Sequence, residues 1–330
     1  MNRSARLFHA AFCLALALGG LVAPGRAQDW PTRPLTLVVP FAAGSGTDLV
    51  ARHLAGPLGE RLGQTIVVQN AGGAGGLIGV SRVAKAAPDG YELVMGAVDT
   101  FALSPALRKQ PPYDPIGDFV PAGLAVMQPL ILIARKDLPV ANMREFADYV
   151  KQNGSKMQFA SAGVGTANHL VCSQLTRAMG ANVTHISYRG SSEAMTDMLA
   201  GHLDFYCILA ISGLPYVKAG TLKPIAVLTH ERSPVLPDLA TAREQGYDFG
   251  DFSYWMGLFF PKGTPAPIVD KFNAALGAAL DRPDLQARLR DVATTVAPPQ
   301  RRSTDYLRGF LASEIKTWGE AIKASGIEPQ

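Results

Sequence analysis

The sequence predicts an α/β fold in two lobes, each a mostly parallel sheet flanked by helices, with a ligand cleft between them. Three observations carry that prediction. Strand-like runs alternate with helix-like ones along most of the chain, which implies parallel strands joined by crossover helices. The alternation starts afresh near residue 130. After Phe252 it gives way to helices that have no strands of their own to cover.

The first lobe opens with a strand over Leu35 to Val39 and a helix over Thr47 to Leu62, where Val50, Leu54, Leu58 and Leu62 share one face. Pro57 removes a hydrogen bond inside that helix, so a kink is expected at Gly56-Pro57. Strands follow at Ile66 to Gln69 and Tyr91 to Gly96, with Leu77 to Ala86 helical between them. The second lobe has strands at Leu130 to Ala134, Met157 to Ser161, Val183 to Tyr188, Leu203 to Ile208 and Leu222 to Leu228. Its helices run from Asn142 to Gln152, Asn168 to Met179 and Ser191 to Ala200. A strand at Phe252 to Phe260 leads into the tail, where Ile268, Phe272, Leu276 and Leu280 mark one helical face. Leu307, Leu311, Ile315, Trp318 and Ile322 mark another, and the sheet of the first lobe is the nearest one for these helices to cover. The expected organisation is residues 28–129 for the first part of lobe 1, 130–252 for lobe 2, and 253–330 for the return to lobe 1.

Residues 1–27 are set aside as a cleaved secretory signal: Arg3 and Arg6, an apolar run from Leu7 to Val22, then small residues up to Ala27. Gly19, Gly20 and Pro24 interrupt a run already short for a bilayer span. Cys13 follows Phe12, where a lipidation signal needs a small residue. Removing these 27 of the 330 residues leaves 303 and takes away three arginines and no acids, so 31 basic against 27 acidic residues become 28 against 27. A chain so near neutrality gives no reason to expect a nucleic-acid partner. The expected form is an exported, soluble monomer. Cys172 and Cys207 remain, compatible with a bridge or with two buried thiols; the sequence favours the thiols.

The stretch "VVPFAAGSGTD" at 38–48 contains Ala-Gly-Ser-Gly-Thr at 43–47, and 162–166 reads Ala-Gly-Val-Gly-Thr. Each follows a strand and opens a helix, one in each lobe. Glycines such as Gly44, Gly46 and Gly163 let the backbone approach a ligand, and the helix start offers unpaired N–H groups at the positive end of the dipole. A carboxylate fits there. A tight turn that binds nothing has the same composition, but its recurrence in both lobes favours a ligand held between them. Other polar groups fall beyond the strand ends, where open α/β sheets bind ligands. They are Ser45, Thr47, Asp48, Asp99 and Thr100 in the first lobe, and Ser161, Thr166, Asn168, His169, Tyr188 and Arg189 in the second. Asp48 is favourable in a first helical turn without any ligand, and Arg189 is the candidate for a second anionic contact.

"NAGGAGGLIG" at 70–79 fails as a dinucleotide fingerprint because Ile78 stands where the third glycine belongs, and no Lys-Ser or Lys-Thr follows to make a P-loop. It reads as a mobile or closely packed turn. No Gly-x-Ser-x-Gly or His-Glu-x-x-His occurs. The histidines at 53, 169, 185, 202 and 230 have no metal-ligand spacing. No enzyme activity, cofactor or metal is expected. The alternatives are a secreted hydrolase and a ligand sensor that signals without transport.

The stretches "WPTRPLTLVVPFAAGSGTDLVAR", "GLIGVSRVAKAAPDGYELVMG", "FASAGVGTANHL", "ISYRGSSEAMTDMLAGHLDF" and "GLFFPKGTPAPIVDKFNAAL" resemble the tripartite tricarboxylate transporter receptors, also called Bug-type solute-binding proteins. The likeness runs in order over nearly all of residues 28–330. It implies a hinged, two-lobed periplasmic binding protein of type II that closes over a small organic carboxylate, di-, tri- or aromatic, and delivers it to inner-membrane transporter subunits. By position, the loops Phe41-Ala42 to Asp48 and Ser161 to His169 would hold the carboxylate, partly through water, with Asp99 in a third loop. One departure stands out. The family often has an aspartate where this chain has Ile208, and isoleucine cannot hold a ligand ammonium, which counts against an amino-acid ligand and favours an apolar body.

Overall fold

The computed structural model describes residues 30–248 and 250–324. The signal expected at 1–27 lies outside the described residues.

Strand β1 (Leu35–Val39) leads through a loop into helix α1 (Gly46–Leu62). The apolar positions expected to share a face, Val50, Leu54, Leu58 and Leu62, are all buried. Ser45 caps the start, and Gly63 stops the helix in the left-handed region at φ 71°. β2 (Ile66–Asn70), α2 (Leu77–Ala84) and β3 (Glu92–Ala97) follow, with β1 parallel to both β2 and β3, as helical crossovers require. β3 runs into a π-helical turn, Asp99–Leu103, continued by a short helical turn at Ser104–Ala106.

β4 (Phe119–Arg135) is longer than expected. Its first part pairs with β9 (Ser253–Pro261), and its last residues pair with β7 (Phe205–Leu209) and β8 (Leu222–Val227). With β5 at Gln158–Ser161 and β6 at Thr184–Ser187, the strand order β2-β1-β3-β9-β4-β7-β5-β6 is therefore one curled sheet with two parallel regions and antiparallel strands between them. The second half contains α3 (Met143–Asn153), β5 (Gln158–Ser161), α4 (Ala167–Ala178), β6 (Thr184–Ser187), α5 (Ser191–Leu199) and α6 (Ala210–Lys218). β5 pairs in parallel with β6 and β7.

The C-terminal segment carries α7 (Ala266–Leu280), α8 (Pro283–Arg290), the short β10 (Thr295–Val296) and α9 (Thr304–Ala324). Phe272 of α7 meets Phe260 of β9 edge-on with ring centres 5.1 Å apart, and Leu307 of α9 packs over Gly257. Phe101, stacked on Phe259 at 4.0 Å, fills the same half, while Phe146, Phe159 and Phe205 fill the other.

The cysteines correct the sequence reading. Cys172 on α4 and Cys207 on β7 are joined as a disulfide with Cα atoms 5.7 Å apart. Both are fully buried where the helix lies on the strand, a contact that a separation of 35 residues does not reveal.

Candidate functional site

The β1–α1 loop is tied down by its own side chains. Ser45 Oγ accepts from the Asp48 amide at 3.3 Å. The Asp48 carboxylate accepts from Gly44 N at 2.8 Å, Arg52 Nε at 2.9 Å and Asn70 Nδ2 at 2.9 Å. Burial pushes the Asp48 carboxyl up, but those bonds and the Arg52 charge outweigh it and hold the group below the usual carboxylate range. Asp48 is spent on loop architecture. Phe41 is buried, with its carbonyl accepting from Asn70, and Thr47 bonds the Tyr254 hydroxyl.

The β5–α4 loop is equally self-bonded. Ser161 Oγ lies 2.6 Å from His185 Nε2 and also bonds Gly163. His169 Nδ1 accepts from Gly165 N at 3.3 Å, and its ring stacks on His185 at 4.1 Å. Burial, then the neighbouring His169, pushes His185 down to about 4, and burial lowers His169 as well. Asn168 Nδ2 donates to the Cys207 carbonyl. Ser161 and His185 resemble a nucleophile and base, but Ser161 is fully buried and already bonded on both sides, so its hydroxyl does not face the gap.

The two halves meet across this gap. Ser192 Oγ donates to the Ala43 carbonyl at 2.9 Å, and a Cβ added to Gly190 would come within 2.8 Å of Ala42 Cβ. Gly163 faces Gly75, where an added Cβ would come within 3.2 Å of backbone. Beside these contacts opens a cleft of about 430 Å³. Gly73, Ala74, Gly75 and Arg108 line it from the first half. Ala162, Gly163, Val164, Ser187, Tyr188, Arg189 and Glu193 line it from the second. Among the expected site residues, Gly163, Tyr188 and Arg189 border the cleft. The Tyr188 hydroxyl donates a hydrogen bond to Asp197 at 2.6 Å, and its pKa is raised to about 12 by burial and by that partner.

The other expected residues lie elsewhere. Gly44, Ser45, Gly46, Thr47 and Asp48 sit in the contact zone of the halves or beneath it. Thr166 bonds the Gly163 carbonyl at 2.7 Å. The Asp99 carboxylate accepts from Ala167 N at 2.5 Å and from the Tyr254 hydroxyl at 2.9 Å, and burial raises it to about 6 against those bonds. Ile208 is packed in the core with Ile131, Ile133 and Tyr206, and the next residue, Leu209, points to Gly46. An isoleucine at 208 therefore fills apolar space. Sequence reasoning missed Arg108 and took Gly73–Gly75 for a turn only. The glycine run was a usable signal, since three of its glycines, Gly73, Gly75 and Gly76, adopt positive φ.

Among the described residues no group of three or more His, Cys, Asp or Glu is arranged to hold a metal, and no helix is long and apolar enough to cross a membrane.

Comparison with known proteins places this geometry in a family. BugT of Bordetella pertussis is 33% identical over 316 residues, covering 95% of each chain. The solved structure of the periplasmic binding protein BugD matches with a TM-score of 0.88 and 41% identity, covering 91% of this chain and all of that one. MatC of Rhodopseudomonas palustris, solved with bound malate, matches with a TM-score of 0.85 and 37% identity over 89% of this chain and all of that one. With residues 50–327 matching the sequence model of the tripartite tricarboxylate transporter family receptor, the chain belongs to that family of solute-binding receptors.

Proposed function

We propose that the protein is an exported periplasmic receptor that holds a small organic carboxylate between its halves and passes it to transporter subunits of the inner membrane, without turnover. The observation that carries this reading is the 430 Å³ cleft, bordered from the first half by Arg108 and from the second by Arg189, with glycine backbone between. Two guanidinium groups against the single carboxylate of Glu193 favour an anionic ligand. Malate in the MatC structure supports a carboxylate of that size. Residues 28–129 and 253–330 act as one lobe and 130–252 as the other, with β4 and β9 as the strands that bend on closure. Gly163, Tyr188 and Arg189 contact the ligand, and the loops Phe41 to Asp48 and Ser161 to His169 shape the walls. Periplasmic location follows from the signal read at residues 1–27.

A thermal-shift and calorimetric screen against di-, tri- and aromatic carboxylates tests the reading. A ligand at 100 times its Kd adds about 2.7 kcal/mol. Arg108→Ala and Arg189→Ala should each weaken the best ligand at least tenfold, and a flat response across every carboxylate would refute the proposal.

A further inference from the structure

Helix α4 begins without a cap of its own. Its N-cap residue, Thr166, makes no capping bond and turns its hydroxyl to the Gly163 carbonyl. The first amides of a helix need acceptors, and the one that serves Ala167 comes from the other half of the molecule: Asp99, 68 residues earlier. Asp99 is only 2% exposed, so water does not share the task. Its second oxygen accepts from Tyr254 on β9, and that hydroxyl also bonds Thr47 at the start of α1. Three segments, the turn after β3, the start of α4 and the start of β9, thus converge on one carboxylate.

We propose that Asp99 is a positioning residue that caps α4 across the gap and so holds the two halves together. An anion at a helix start is stabilising, and more so when buried and bonded to an N–H. Here the protein supplies that anion from the opposite wall. The proposal goes beyond ligand capture. With the first amide of α4 taken by Asp99, an entering carboxylate is received on the side of Arg108 and Arg189 for as long as the cap is in place. The titratable groups facing Asp99 are Tyr254 from β9 and Tyr206 from β7, and the Tyr206 hydroxyl donates to Ser191 at 3.2 Å. No Lys, Arg or His forms an ion pair with Asp99 among the described residues. Separation of the halves would return the buried carboxyl from about 6 toward its ordinary value, so protonation favours the joined halves as pH falls through about 6.

The test needs no ligand. Amide hydrogen exchange at Ala167 and small-angle scattering are measured on the ligand-free protein, its Asp99→Ala variant and its Asp99→Asn variant. Asp99→Ala should speed exchange at Ala167 at least tenfold, leave the far turns of α4 unchanged and enlarge the radius of gyration. Asp99→Asn keeps the shape, should give a smaller change, and stays informative should the alanine variant fail to fold. In the unmodified protein exchange at Ala167, corrected for intrinsic rates, should slow between pH 7 and pH 5, and this response should be absent from Asp99→Asn. Exchange and radius that match the unmodified protein in both variants would overturn the cap, as would a pH response that persists in Asp99→Asn. A failed carboxylate screen would leave these outcomes untouched.

Discussion

Gly46 and Leu209 meet across the gap between the halves: a Cβ built on Gly46 would lie 2.6 Å from Leu209 Cδ1 and 3.1 Å from Ile211 Cγ2. The glycine at the start of α1 is therefore small because the opposite wall needs the room. The glycines that line the cleft are others, Gly73, Gly75 and Gly163.

Bulk at that contact should hold the halves apart without unfolding either. Gly46→Val is expected to keep the circular dichroism spectrum and to weaken, at least tenfold or about 1.4 kcal/mol, binding of whichever carboxylate gives the largest thermal shift. Calorimetry decides; an unchanged Kd would mean that the halves need not meet at Gly46.

The stacked pair His169 and His185 makes stability depend on pH. The folded pKa of His185 lies at about 4, below the ordinary 6.5, so the unfolded chain binds the proton more readily. The contribution is fully present above pH 6.5 and is lost as pH falls from 6.5 through 4. With the ring partly in contact with solvent, an effect on the order of 1–2 kcal/mol is expected. Asp99, raised to about 6, acts with the opposite sign: its burial cost is absent below pH 3.8 and grows until pH 6. NMR titration of the imidazole protons separates the two, and a His185 midpoint near 6.5 would show that burial and the neighbouring His169 do not shift it.

The Cys172–Cys207 bond closes a loop of 35 residues. On the chain-entropy account it stabilises the fold by about 3–4 kcal/mol. Urea unfolding of the Cys172→Ala, Cys207→Ala double variant should show that loss. Thiol titration of the denatured chain without residues 1–27 should find no free sulfhydryl, and one or two thiols per chain would show the bond to be absent.

Asp48→Ala removes the acceptor of the Gly44 amide and one of the two acceptors of Asn70 Nδ2, which keeps the Phe41 carbonyl. Both donors are only part-buried, so a loss of about 1–2 kcal/mol is expected in denaturant melts. A loss below 1 kcal/mol would return Asp48 to the pool of ligand contacts.

Periodicity made the first strands and helices readable, because α1 and β1 carry apolar positions at regular spacing between clear turn residues. β4 was hidden in its first part. Pro121, Gly123 and Pro129 punctuate it like a loop, yet the strand absorbs them through register shifts between Pro121 and Gly123 and between Leu124 and Val126. α6 was hidden by Gly213 and Pro215. In the site, the paired glycine loops were legible as a motif, but their use was not. Whether a glycine faces the cleft, as Gly163 does, or an opposing wall, as Gly46 does, depends on contacts with residues far along the chain. Arg108 stands in no pattern at all, and only the folded chain brings it opposite Arg189.

β4 is hydrogen-bonded to β9 through Phe119–Pro129 and to β7 and β8 through Leu130–Arg135, so a single strand is structural for both sides of the gap. Neither side can lose its central strand while the other keeps it. The molecule should accordingly melt in one cooperative transition, with calorimetric and van't Hoff enthalpies equal.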